Sequence, residues 1–129
     1  MPKYKIIQNV VPLEIVPLDA KEFHRLIALL PARDENNKVF GIVIHDDTNR
    51  MVYKIYPDNG TDFKGKELYV YTGSPVQRVE IFGDKYIWLN ENGKLDGLPQ
   101  NTIATILFGL FPSDIIMGNV VVCGYDSVL

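Results

Sequence analysis

One stretch of the chain, residues 86–101, constrains the fold more than any other. Its first four residues (Tyr-Ile-Trp-Leu) are aromatic and aliphatic strand formers, which predicts a strand buried on both faces. Asn92 and Gly93 follow, and because both residue types accept positive φ, they predict a tight hairpin. Lys94 and Leu95 would then begin a short return strand.

A helix is predicted directly after this turn. Asn101 stands where an N-cap should be, because its side-chain oxygen can accept the first free backbone N–H groups. Over residues 102–111, apolar side chains recur at intervals of three and four, the spacing of one helical stripe. These side chains are Ile103, Ile106, Leu107, Leu110 and Phe111. Pro112 ends the predicted helix.

The rest of the chain predicts short strands and one more helix. Asp19 is an N-cap candidate with Glu22 three residues later, as in a capping box, and an apolar stripe follows over residues 23–30. The polar residues 46–50 predict a hairpin turn, and the apolar run 119–123 indicates an interior sheet position. Strand patterns occupy residues 4–11, 39–45, 51–56, 67–71, 76–82 and 119–123.

Together these patterns predict an α+β fold: a mainly antiparallel sheet of several hairpins with two helices packed on it. A length of 129 residues suits a single domain over residues 1–129. The net charge of −3, without any basic block, argues against a nucleic-acid partner. With no apolar run long enough to cross a membrane and a single cysteine, the chain is expected to be cytoplasmic, and no motif implies a cofactor.

The most chemical-looking cluster is His45, Asp46 and Asp47. An imidazole and two carboxylates can bind a metal or exchange protons, so a metal-dependent hydrolase is one alternative. It requires these side chains to meet another acid, such as Asp58 or Asp62. The favoured interpretation is a turn, in which the aspartates hydrogen-bond to their own backbone.

A second candidate site surrounds the predicted hairpin. Amide and carboxylate side chains here can recognise a polar ligand or the backbone of a partner. The predicted ligand- or partner-binding residues are Trp88, Asn90, Glu91, Asn92, Lys94 and Asn101. If Tyr86 and Trp88 stack on a base, the ligand would be nucleotide-like, and a concave site should lie beside residues 90–101. The favoured interpretation of each residue by itself is that it only forms a turn or a helix cap.

Cys123 lies in an apolar strand pattern, which favours an inert buried thiol over a nucleophile. The sequence contains no phosphate loop, dinucleotide fingerprint, HExxH motif or nucleophile elbow. No catalytic residue and no metal ligand is therefore predicted.

From residue 76 to about residue 124 the chain resembles DUF3846, a family catalogued as a domain of unknown function from phages and other bacterial mobile elements. The matching positions are Asn90, Glu91, Gly93, Lys94, Leu95, Gly97, Leu98, Pro99, Asn101, Asp114, Ile115, Ile116 and residues 118–122. Residues 33–74 depart from the family pattern and are interpreted as inserted hairpins. The resemblance implies a mobile-element origin but no reaction and no cofactor.

The favoured hypothesis is a non-enzymatic binding or accessory protein of a phage, prophage or plasmid, acting on a host protein or a protein of the element. A protein partner is expected, and exposed strand edges also suggest a homodimer. The alternatives are a small-ligand binder for a nucleotide-like molecule and the metal-dependent hydrolase of residues 45–47.

Overall fold

The computed structural model describes residues 16–73, 75–108 and 114–124. It confirms the α+β class, with six strands and three helices in this part of the chain. The elements are β1 (Val16–Pro17), α1 (Ala20–Leu29), β2 (Gly41–Ile44), β3 (Val52–Ile55), α2 (Gly65–Thr72), β4 (Val76–Ile81), β5 (Lys85–Asn90), α3 (Thr102–Leu107) and β6 (Val120–Gly124).

The strands form one sheet in the order β1-β3-β2-β6-β5-β4, and every neighbouring pair is antiparallel. Strand β6, the last of the described strands, lies between β2 and β5, and all five of its residues are buried. The predicted interior position of residues 119–123 is therefore confirmed. Among the described strands, two-residue β1 pairs with β3 alone, so Pro17 lies at an edge of the described sheet, where a missing N–H is tolerated.

Helices cover both faces of the sheet. On the first face, α1 and α3 pack over alternate residues of the central strands, including Ile42, Ile44, Ile87 and Val122. On the second face, α2 packs over Val43, Val121 and Cys123. Because successive side chains point to opposite faces, the apolar runs of β2 and β6 fill both cores at once.

Local capping signals are confirmed. The Asp19 carboxylate accepts the N–H of Glu22 at 2.8 Å, and α1 begins one residue after Asp19. The Asn101 amide oxygen accepts the N–H of Ala104 at 3.1 Å at the start of α3. The β2–β3 hairpin forms around residues 46–50 as predicted. The predicted strand at 4–11 and the end of the predicted helix at 109–111 lie outside the described residues.

The strand predicted at residues 67–71 is wrong, because this segment is helix α2. The Glu67 carboxylate accepts the N–H of Lys64 at 2.7 Å, and this bond closes the first turn. Leu68 and Tyr71, three residues apart, are buried against the sheet, while Tyr69 between them is exposed. The described residues 33–73 thus hold one hairpin and one helix, and the described part of the chain has three helices, not two.

The return strand predicted at Lys94 and Leu95 is also wrong. Residues 91–97 form consecutive turns, and Leu95 is 87% exposed. The physical reason is that β5 already has β4 on one side and β6 on the other. No edge of β5 is left for a third strand. No helix among the described residues is long and apolar enough to cross a membrane.

Candidate binding groove

A cavity of about 360 Å³ opens on the first face of the sheet, over strands β4 and β5; we call it the β4–β5 groove. Its apolar floor consists of Val79, Ile81, Ile87 and Leu89. The groove exists because α1 and α3 cover the central strands, whereas Val79, Ile81 and Leu89 near the sheet edge remain only partly buried. The facing wall comprises Phe108, Ile115, Ile116 and Met117.

The rim of the groove carries charge. Lys94 from the turn 91–97 forms an ion pair with Asp114, and both side chains are more than half exposed. The hydrogen bond from Lys94, joined by one from the N–H of Ile115, lowers the pKa of Asp114. Because solvent screens this ion pair, it contributes little to the stability of the fold. Its main effect is to hold the turn 91–97 against the groove wall. Glu91 and Gln77 complete the polar rim.

A glycine is needed at position 93 because there is no space for a side chain, not because a hairpin requires positive φ. A Cβ atom at Gly93 would lie 3.0 Å from the carbonyl oxygen of Met117 and 3.2 Å from its Cβ atom. The turn 91–97 therefore rests directly on the backbone of the groove wall. The N–H of Leu98 donates to the carbonyl of Gly93 at 3.0 Å, which closes the turn.

The structure brings three of the six predicted site residues to the groove: Asn90, Glu91 and Lys94. The Asn90 side-chain amide is hydrogen-bonded to the protein's own backbone. Its Nδ2 donates to the carbonyl of Thr72 at 3.2 Å, and its Oδ1 accepts the N–H of Asn92 at 2.8 Å. Asn92 is half-buried in the same turn. Glu91 and Lys94 are the predicted residues whose charged ends face solvent at the rim.

Trp88 and Asn101 do not line the β4–β5 groove. Trp88 projects from the second face, where its ring meets Tyr86 edge-on at 6.3 Å between centroids. Arg78 lies over both rings, at 4.5 Å from the Tyr86 centroid and 5.7 Å from that of Trp88. Asn101 is fully buried at the start of α3. The structure therefore does not bring the aromatic rings and the amides together in one concave site.

The family comparison agrees with the sequence resemblance. A model for a domain of unknown function, DUF3846, matches residues 42–128, more than half of the chain. The chain belongs to the DUF3846 family. The match begins within β2, so the β2–β3 hairpin and α2 lie inside the family region, as do all residues of the β4–β5 groove. Neither the curated proteins nor the solved structures contain a match.

In this DUF3846 protein, His45 continues the β2–β3 pairing, its N–H donating to the carbonyl of Met51 at 2.8 Å, while Asp46 and Asp47 form a turn and a cap. Oδ1 of Asp46 accepts the N–H of Thr48 at 3.1 Å, as expected of a turn-forming aspartate. Asp47 accepts the hydroxyl of Thr102 at 2.6 Å and its N–H at 2.9 Å, so it caps α3 from another element. These bonds lower the pKa of Asp47, led by the Thr102 hydroxyl.

Asp58 and Asp62 do not join that cluster to form a metal site. Within the described ranges, no group of three His, Cys, Asp or Glu side chains is placed to hold a metal ion. The hydrolase alternative therefore finds no geometric support in this part of the chain.

Cys123 is fully buried, and burial raises its pKa to about 12, against a smaller opposite effect of the Trp88 indole. At pH 8 the native thiol should therefore react with Ellman's reagent at least about 100-fold more slowly than the urea-unfolded chain, because thiolate and access are both lacking. The single cysteine makes the absorbance change unambiguous. Equal rates in the two states would mean that Cys123 is accessible and activated.

Sequence reasoning missed the groove wall. Phe108 lies in the predicted helix and residues 115–117 lie between that helix and the predicted last strand, and nothing in the local sequence marks them as neighbours of β4. The half-buried apolar residues of β4 did carry a signal, because the alternation at 76–82 predicts one apolar face.

Proposed function

We propose that this DUF3846 protein is a non-enzymatic binding protein of a phage, prophage or plasmid that acts in the cytoplasm. Its β4–β5 groove takes up apolar side chains of a host protein or of another protein of the element. The observation that carries the proposal is the apolar floor of the groove with a charged rim, beside the predicted segment 90–101.

Leu95 supplies the anchor for such a partner. It lies on the rim and is 87% exposed, so the free protein leaves a leucine side chain in water. Covering a side chain of this kind contributes about 1.5–3 kcal/mol. A partner that inserts apolar residues over Val79 and Leu89 would cover Leu95 at the same time. The charges of Glu91, Lys94 and Asp114 then select the polar residues that flank the apolar segment.

A small-molecule ligand is the second candidate, because about 360 Å³ falls within the range of small-ligand sites. The lining favours an apolar ligand over a nucleotide-like one. Tyr86 and Trp88 stack with Arg78 on the opposite face of the sheet, and among the described lining residues of the groove Phe108 alone is aromatic.

The test compares Leu95→Asp with Met51→Asp, a control at another exposed apolar residue in the β2–β3 turn. Tagged proteins are used to capture partners from lysate of the source cells, and the captured protein is then titrated by calorimetry. Leu95→Asp is expected to weaken binding at least about 10-fold, because docking would desolvate a carboxylate, whereas Met51→Asp binds like wild type.

Unchanged affinity of Leu95→Asp would contradict a protein-binding role of the groove. Titration with the fluorescent apolar probe anilinonaphthalene sulfonate distinguishes the small-ligand candidate from the protein-binding role. Under that alternative, the probe binds the folded wild type, Leu95→Asp weakens it, and no protein competes with it.

A further inference from the structure

The inference concerns strand β4, which forms one end of the sheet. In the described part of the chain, neither a strand nor an isolated bridge occupies its outer side. An unpaired edge of six residues with three β-branched side chains is a template for another strand. Two properties decide whether the edge of β4 pairs with another strand and which strand it accepts. These are the direction of its backbone N–H and C=O groups and the order of its charged side chains.

The backbone direction follows from one hydrogen bond. The N–H of Glu91 donates to the carbonyl of Pro75 at 2.8 Å, and the register continues with Val76 opposite Asn90. Hydrogen-bonded and non-bonded pairs alternate along an antiparallel ladder. Every second residue from Pro75 onward therefore directs its N–H and C=O groups toward β5.

The intervening residues, Val76, Arg78 and Glu80, direct their N–H and C=O groups away from the sheet. Pro75 does not blunt this edge, because its missing N–H falls on the side of β5. The outer edge thus presents an uninterrupted set of donors and acceptors from Val76 to Glu80.

We propose that β4 pairs antiparallel with β4 of a second copy of this chain, with Val79 opposite the partner's Val79 on a two-fold axis. In this register Arg78 lies opposite the partner's Glu80, and by symmetry Glu80 lies opposite the partner's Arg78. Both pairs join residues whose backbone groups point outward, as a hydrogen-bonded pair requires. The interface is isologous, as is usual in dimers.

The charges select this register. Shifting the axis by one residue toward the start of β4 places Arg78 opposite the partner's Arg78. Shifting it by one residue the other way places Glu80 opposite the partner's Glu80. Like charges directly opposite each other are destabilising, and opposite charges stabilise a cross-strand pair. Within the described residues neither Arg78 nor Glu80 forms an ion pair, and both are exposed.

Two further contacts favour the pairing. Arg78 is held against the sheet by the Tyr86 ring, 4.5 Å from the ring centroid, so less side-chain entropy is lost when it meets a carboxylate. On the first face, Val79 is part of the groove floor. The two floors would then lie side by side on one continuous face of the sheet. The dimer does not depend on which partner the groove binds.

Sedimentation equilibrium of the full chain over about 1–500 µM tests the proposal. Wild type is expected to show a monomer–dimer equilibrium. Arg78→Glu and Glu80→Arg each place like charges opposite each other in both pairs, so each should weaken dimerisation at least about 10-fold. The control Lys21→Glu, on the exposed side of α1, should dimerise like wild type.

The decisive measurement mixes the two charge variants. A chain with Glu at positions 78 and 80 is complementary to a chain with Arg at both, so the equimolar mixture should associate more tightly than either variant does alone. The double variant Arg78→Glu/Glu80→Arg should also regain self-association. A monomeric wild type, a dimer insensitive to both reversals, or a mixture that stays monomeric would each overturn the proposal. Circular dichroism verifies that each variant is folded.

Discussion

Replacing Asn101 with alanine should lower the free energy of unfolding by about 3–5 kcal/mol, because it leaves several buried groups without partners. The Asn101 side chain is completely buried, and its Nδ2 donates to the carbonyls of Ile44 and Gly118, each at 2.9 Å. Its Oδ1 caps α3 through the N–H of Ala104. One amide thus joins β2, α3 and the segment that leads into β6.

Urea denaturation followed by circular dichroism measures this effect. Asn101→Ser should retain the cap and recover about 1 kcal/mol relative to alanine, because serine caps helices well but cannot reach both carbonyls. The matched control is Asn59→Ala, which removes a turn-capping amide whose bonds are exposed, so that water can replace them, and which should cost about 1 kcal/mol. If Asn101→Ala and Asn59→Ala cost the same, the buried bonds of Asn101 contribute nothing net.

The second large effect concerns the buried pair of Asp34 and Lys54. Their exposed fractions are 6% and 5%, and Nζ of Lys54 lies 3.1 Å from Oδ2 of Asp34. The Tyr56 hydroxyl donates to the same oxygen at 2.8 Å. Asp34→Ala should cost about 3–5 kcal/mol, because it leaves the buried Lys54 ammonium with the half-exposed Glu35 carboxylate, at 3.7 Å, as its remaining counter-charge.

The same carboxylate should make stability depend on pH. Burial by itself raises the pKa of Asp34, but hydrogen bonds from the Lys38 N–H, the Tyr56 hydroxyl and the Lys54 ammonium outweigh it and lower the pKa. Because the folded-state pKa lies below the unfolded value of about 3.9, the stabilisation is complete above that value and is lost as the pH falls through the folded-state pKa.

Urea unfolding of wild type, Asp34→Ala and the exposed control Asp58→Ala from pH 7 to pH 3 tests both statements. The difference between wild type and Asp34→Ala should be largest near neutrality and shrink below about pH 4. Asp58→Ala should follow wild type throughout. A constant difference across this range would show that Asp34 does not lose its stabilising effect on protonation.

Signals that act over three or four residues could be read from the sequence. Asp19 and Asn101 were predicted as caps because a cap and the N–H that it accepts are neighbours in the chain. The interior position of β6 followed from its unbroken apolar run. The turn at residues 46–50 followed from residues that hydrogen-bond their own backbone.

Predictions that depended on a distant neighbour failed or were never made. Residues 67–71 contain strand-forming side chains, yet Leu68 and Tyr71 are spaced to bury one side of a helix against the sheet. Lys94 and Leu95 had the right composition for a strand but no free edge to pair with. The partnership of Asp34 with Lys54 spans twenty residues and has no local signature, although a lysine inside an apolar strand indicates a buried partner.

The sequence by itself determined the class of the fold, the helix caps and the family to which the chain belongs, since these follow from residue types at short, fixed spacings. The tertiary structure alone decided that the 91–97 turn, the 114–117 segment and the β4–β5 hairpin enclose a groove, while Asn101 is used to join three elements. The physical reason is that a surface is defined by which elements become neighbours and which faces they leave uncovered. Hydrophobic burial fixes that arrangement for the whole chain at once.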